Sequence, residues 1–290
     1  MNLTRRRALG VVGVLAAAAT GLVELVRGLG SPAPRPRVVP GTTRLVESYG
    51  SGARRRGEWW VPPGTTGPLP TVVLVHGGYW RSSYDLHLED AVAADLAGRG
   101  YLVWNIDYAP SAEPWPATLT DAAAAYDFLS AGRYAGRVDP ARVAVVGHSA
   151  GGHLALWLGS RARVPSGGPG AGAFRRPALL VPQAPVASLA RGSREGLGSG
   201  AVDALVGGSP TQQPERYREA DPIALLPTGI RTVLLHGQAD AIVPISQSED
   251  YLAAAEPATC SLVRVPGDHF AHLDPTSPAV EALRAALAGL

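Results

Sequence analysis

The run from Arg142 to Gly159, RVAVVGHSAGGHLALWLG, constrains the fold more than any other stretch of the chain. Val143 to Val146 is continuously apolar, the pattern of a strand covered on both faces in a parallel sheet. His153-Leu154-Ala155-Leu156-Trp157-Leu158 suits a helix that begins near Ala150. A strand that becomes a helix within so few residues forces its corner residue into an unfavourable φ/ψ region. The neighbours two positions away must then be small, so that strand and helix can approach. Ser149 is the corner and Gly147 and Gly151 are those neighbours. Such a corner lifts the serine Oγ above the sheet edge and aims the N–H groups of the helix start at whatever approaches it. This G-x-S-x-G arrangement between strand and helix is the nucleophile-elbow signature.

The rest of the chain leaves room for one large α/β domain, residues 42–290, preceded by a short leader. Net charge is +2 and all 26 basic residues are arginine, scattered rather than striped. Arg54-Arg55-Arg56, the one basic run in the body, reads as a solvated hairpin, and no nucleic-acid partner is expected. Residues 1–30 read as a signal peptide. Arg5-Arg6-Arg7 precedes the uncharged stretch Ala8 to Val23, which resembles a twin-arginine export leader. The alternative is an N-terminal anchor, although that stretch falls short of the ~20 residues a span needs. The protein is thus expected outside the cytoplasm, touching a membrane only if the leader stays on. Residues 31–41 form a Pro-rich linker. The single cysteine, Cys260, permits no intrachain disulfide and reads as a strand residue.

Beyond the linker the pattern alternates. Thr43 to Tyr49 and Glu58 to Val61 read as antiparallel entry strands. Further strands are expected at Pro70–His76, Tyr101–Asp107, Ala178–Val181, Arg231–Gly237 and Ser261–Val265. Helices are expected at Tyr84–Arg99 (amphipathic), Leu119–Ala131, Ser246–Ala255 and Pro278–Leu287. Alternation of this kind implies a parallel sheet with right-handed crossovers. Periodicity weakens at about residues 188–226, where an insertion could cover the mouth of a site as a cap.

Ligands of open α/β sheets bind beyond the carboxyl ends of the strands. Asp240 follows the strand ending at Leu235, and His269 follows the last strand. The chain order is serine, acid, histidine. His272, three residues on, is the alternative base. Asp268 adjoins His269 and is expected to point elsewhere. His269-x-x-His272 has no third ligand at suitable spacing, so no metal is expected. His76 reads as a brace for its loop, His148 and His153 as structural, and His236 as a core residue.

Over residues 42–290 the chain resembles the α/β-hydrolase fold, a mostly parallel central sheet with helices on both faces. His76-Gly77-Gly78-Tyr79-Trp80 is similar to the H-G-G-x-W element of kynurenine formamidase-like and small carboxylesterase-type hydrolases. Gly147–His153 is similar to their G-H-S-A-G-G-H elbow. The resemblance implies Ser149 as nucleophile, His269 as general base and Asp240 as its orienting carboxylate. It also implies an oxyanion hole from the N–H groups of Gly78, Tyr79 and Ala150, an acyl-enzyme route and no cofactor. Glycines at the His76 loop suit this, because they present backbone donors without Cβ interference.

The substrate is less legible. Trp80, Tyr108 and Trp115 follow strand ends and could wall a pocket, or could simply be packed. A small carboxylic ester or amide is the first expectation. An aryl formamide comes second, because an export leader departs from a cytosolic tryptophan-catabolic role. A serine exopeptidase or a non-catalytic binding module on the same fold are the readings from other classes. The sequence carries no sign of oligomeric state.

Overall fold

The computed structural model describes residues 36–290; the leader and residues 31–35 of the linker lie outside the described residues. Eight strands form one sheet among the described residues: β1 (Thr43–Ser48), β2 (Arg56–Val61), β3 (Leu69–Val75), β4 (Leu102–Ile106), β5 (Val138–His148), β6 (Leu179–Gln183), β7 (Arg231–Gly237) and β8 (Cys260–Val265). Their spatial order is β1-β2-β4-β3-β5-β6-β7-β8. The first two strands pair antiparallel, with each other and with β4. Every pairing from β4 through β8 is parallel.

Period-two side-chain alternation sorts the core into two layers. Val73, Val75 and Trp104 face one side, against α2 (Ala117–Asp127) and α3 (Ala150–Gly159). Val72, Leu74 and Val103 face the other, against α1 (Asp90–Gly98) and α8 (Pro278–Leu287). The neighbours Trp59 and Trp60 divide between the layers, and Trp59 stacks on Trp104 at 4.4 Å. Both are fully buried; burying such a side chain stabilises by roughly 2–3 kcal/mol.

Two expectations need correction. The amphipathic helix over Tyr84–Arg99 is shorter: a 3-10 turn at Leu86–Glu89, with Asp85 accepting from the His87 N–H, precedes α1. Helix α1 buries Ala91, Val92, Ala93, Ala94, Leu96 and Ala97, so it has almost no solvent face to make it amphipathic. The arginine run is not a solvated hairpin. Arg54 pairs with Asp107 at 3.0 Å, Arg55 with Asp121 at 2.7 Å, and Arg56 reaches Asp107 at 3.6 Å. Asp107 and Asp121 are buried, and charges out of water require partners. The hairpin therefore turns its charge inward, against the end of β4.

Residues 188–226 are also more ordered than their composition suggests. They hold α4 (Leu189–Arg194), α5 (Leu197–Val206) and α6 (Pro214–Ala220). Gly196, Gly198, Ser199 and Gly200 have left-handed φ, between 56° and 82°, which explains why helical periodicity could not be read through them. The remaining helix, α7 (Ser246–Ala254), leads to β8.

Candidate active site

Ser149 sits between β5 and α3 with φ 57° and ψ −117°, a region that L-residues rarely occupy. The flanking glycines are obligatory on contact grounds. A Cβ on Gly147 would lie 2.1 Å from the Gly151 carbonyl oxygen, and one on Gly151 would lie 2.0 Å from that of Val75. Gly152 is constrained too, with Pro185 2.9 Å from where its Cβ would stand. The backbone N–H of Ser149 donates to the Gln183 carbonyl at 2.8 Å, tying the corner to β6.

The candidate acid and base meet beyond the ends of β7 and β8. His269 Nδ1 lies 2.7 Å from Asp240 Oδ2. Asp240 Oδ1 also accepts from the N–H groups of Ile242 (2.9 Å) and Val243 (2.8 Å). Burial would raise the Asp240 carboxyl, but His269, the His236 contact and the Val243 N–H outweigh it. They hold the group well below the usual carboxylate range. An ionised carboxylate can only accept, so His269 Nδ1 carries the hydrogen that joins them. Ser149 Oγ has no hydrogen-bond partner among the described residues. Ser149 and His269 are only 2% and 3% exposed, so the approach to them is narrow.

His236 is the residue that sequence reasoning undervalued. Its Nε2–H donates to the Val243 carbonyl at 2.9 Å and lies 3.5 Å from Asp240 Oδ2, while Nδ1 accepts from Ser248 Oγ at 2.8 Å. A second imidazole thus faces the acid. The signal was available, because a histidine four residues before the acid ends the same strand. Asp268 does point elsewhere, accepting from the N–H groups of Phe270 and Ala271. His272 is fully buried with neither ring nitrogen bonded, and desolvation beside His269 pushes it down to about 3.

The loop after β3 passes beside the elbow. Gly78 has φ 106°, and a Cβ there would strike the Tyr84 ring at 2.3 Å, so only glycine fits. Neither Gly78 nor Tyr79 donates its N–H to another described residue. Ala150 opens α3, where first-turn N–H groups have no intrahelical acceptor. Tyr79 and Trp80 follow with φ 51° and 55°. The Tyr79 hydroxyl donates to the Ile242 carbonyl at 3.0 Å, joining this loop to the acid's loop. Gly198 packs on the Tyr79 ring, and Arg81 donates to the Gly198 carbonyl at 2.6 Å, which brings α5 over the same loop.

The aromatic residues proposed as pocket walls are placed differently. Two successive left-handed residues turn Trp80 inward, where it is fully buried with its ring edge-on to His153 at 5.2 Å. Tyr108 lies flat on His76 at 4.3 Å and donates to the His76 carbonyl at 2.8 Å. It thereby braces the loop. Trp115 is partly buried, with the Arg216 guanidinium 5.7 Å above its ring. His76 approaches Gly77 O at 2.7 Å and Asp107 Oδ1 at 3.2 Å, so it anchors the loop to β4. His153 Nε2 donates to the Ala220 carbonyl at 3.0 Å. Among the described residues one trio of ligand-type side chains converges, Glu58, His87 and Asp90. Arg44 already neutralises it, 2.7 Å from Glu58 and 3.2 Å from Asp90.

Comparison with known proteins gives three kinds of match. The family model BD-FAE covers residues 58–254. Among curated proteins, Carboxylesterase NlhH of Mycobacterium tuberculosis is 37% identical over 113 residues, which is 38% of this chain and 35% of that relative. The chain thus matches about a third of that relative's length. An uncharacterised Mycobacterium tuberculosis protein is 30% identical over 95% of this chain and 92% of its own. Among solved structures, esterase B from Lactobacillus rhamnosis superposes with a TM-score of 0.76 at 21% identity, covering 97% of this chain and 95% of that one. A carbohydrate esterase from gut microbiota gives 0.75 at 18% identity. These structural likenesses establish the α/β-hydrolase architecture.

Proposed function

Since the chain belongs to the BD-FAE family and has the α/β-hydrolase fold, we propose that it is a serine hydrolase of small carboxylic esters. The observation that carries this reading is the 2.7 Å contact between His269 and an ionised Asp240, with His269 bonded in turn by His148, the neighbour of a serine held at a strained corner. In this reading His269 Nε2 takes the Ser149 proton as Oγ attacks the ester carbonyl. The N–H groups of Gly78, Tyr79 and Ala150 receive the developing oxyanion. The alkoxide leaves with the proton from His269, and an acyl-enzyme remains. Water then gives a proton to the same imidazole as its oxygen attacks the acyl carbon; the bond to Ser149 Oγ breaks, the imidazolium returns its proton to Oγ, and the acid is released.

The near-complete burial of Ser149 and His269 favours short acyl groups. It favours them equally in esters and formamides, so aryl formamide cleavage stays as the second reading. Ester turnover comes first because the relatives with assigned activities are named as esterases.

Ser149→Ala is expected to lower kcat on p-nitrophenyl acetate by about 10⁴-fold or more and to abolish labelling by a fluorophosphonate. Melting temperature should barely change. Wild-type turnover in that variant, or a wild-type protein that neither labels nor hydrolyses any short ester or formamide, would exclude the reading.

A further inference from the structure

The residue before the candidate nucleophile makes a contact that neither the fold nor the elbow requires. We propose that His148 is a positioning residue, which fixes the backbone of His269 relative to the elbow that carries Ser149 through one hydrogen bond. This inference rests on the serine-hydrolase reading above.

His148 Nε2 lies 2.9 Å from the His269 carbonyl oxygen. A carbonyl only accepts, so Nε2 carries the hydrogen and donates. The two rings pack at 4.5 Å between centroids, tilted by 47°. The opposite edge of His148 is walled by the loop after β3. A Cβ on Gly77 would stand 3.1 Å from His148 Nδ1 and 2.9 Å from the His148 carbonyl. Nδ1 has no partner among the described residues, and the side chain is 3% exposed. The imidazole therefore has one tautomer and one polar task.

That task joins two parts of the site that are 121 residues apart in sequence. Asp240 fixes the rotation of the His269 ring from its Nδ1 side. It does not fix the main chain that carries the ring. His148 bonds that main chain from the position adjacent to Ser149, so one side chain ties the elbow to the segment that carries the candidate base. A displacement of about 1 Å at such a junction costs on the order of 10²-fold in rate. Substrate contacts are untouched, so the loss should fall on kcat.

The test compares His148→Gln with His148→Asn in the full chain. A glutamine amide N–H reaches the place of Nε2, whereas an asparagine amide stops near Nδ1. Both are polar and similar in size, so the burial change is shared. The glutamine variant is expected to retain kcat on p-nitrophenyl acetate within about 3-fold of wild type. The asparagine variant should lose about 10–100-fold with KM nearly constant. Fluorophosphonate labelling of Ser149 should slow by the same factor and still reach one equivalent. The downfield proton resonance of His269 Nδ1–H should shift or broaden in the asparagine variant alone. Equal kcat in the two folded variants would overturn the proposal, as would a loss carried by KM. If the asparagine variant fails to fold while the glutamine variant is folded but as slow as His269→Ala, the proposal is also overturned. A wild type that never labels refutes the serine-hydrolase reading itself, a result distinct from all of these.

Discussion

At the scale of single residues, the two candidate histidines differ in what each ring touches. His269 bonds an ionised carboxylate through one nitrogen and leaves the other free. His272 is as deeply buried, yet bonds nothing through either nitrogen among the described residues. A buried polar group without partners carries a desolvation cost that an apolar replacement removes. His272→Leu should therefore keep kcat within a few-fold and leave the melting temperature equal or higher. His269→Ala should lose as much activity as Ser149→Ala, because groups acting as a unit are not additive. The reverse ranking in ester hydrolysis assays would transfer the base role to His272. Ser149, Asp240 and His269, the triad proposed above, stand out in the sequence because each follows a strand, and strand ends are where a parallel sheet presents its site. The His148 contact could not be read in the same way, because it joins loops that only the finished sheet brings together. Tyr108 was misjudged for a related reason: a position at a strand end fixes where a side chain starts, not which neighbour it stacks on.

At the scale of elements, strand and late-helix boundaries were legible wherever hydrophobic periodicity ran unbroken. Strand β7 and helix α8 lie where the pattern puts them. The 3-10 turn before α1 was not, because a helical pattern of charges and leucines does not reveal that Glu89 is carried inside. That carboxyl is 1% exposed with neither oxygen bonded, and burial, helped by Asp90, pushes it up to about 8. The folded state thus binds a proton that the unfolded chain releases at about 4.5. Between these values stability must fall as pH rises, since the unfolded chain holds fewer protons. Glu89→Gln is a near-isosteric neutral replacement. It should raise the melting temperature clearly at pH 9 and little at pH 5, in thermal melts of paired samples. An equal shift at both pH values would show that the carboxyl is ionised in the fold. The charged hairpin was misread for a similar reason, since a run of arginines carries no mark of where its counter-ions lie.

At the scale of the whole molecule, these buried groups set the pH range in which the fold is most stable. His148 is held well below the ordinary histidine range by burial and its histidine neighbours. Burial pushes His153 down to about 4 and His272 to about 3. Unfolding lets all three take up protons below about 6.5, so stability falls as pH drops from there, by up to about 1.4 kcal/mol per pH unit for each ring. Glu89 acts in the opposite sense above its unfolded value, as do Asp90 and Asp221, whose carboxyls burial also raises, while Asp240, held low by its partners, sides with the histidines. Stability should therefore peak between about pH 6 and 7, with a steep acid limb and a shallow alkaline one. Melting temperatures across pH 5 to 9 test this, and a maximum at pH 5 or below would contradict it. The corner at Ser149 adds a consequence of another kind. A residue held at φ 57° and ψ −117° stores on the order of 1–3 kcal/mol that a glycine there would release. On the serine-hydrolase reading proposed above, thermodynamics and chemistry thus pull position 149 in opposite directions. In any lineage released from the need for turnover, substitutions that relax the corner would spread first, and the descendants would be sturdier proteins for having lost their trade.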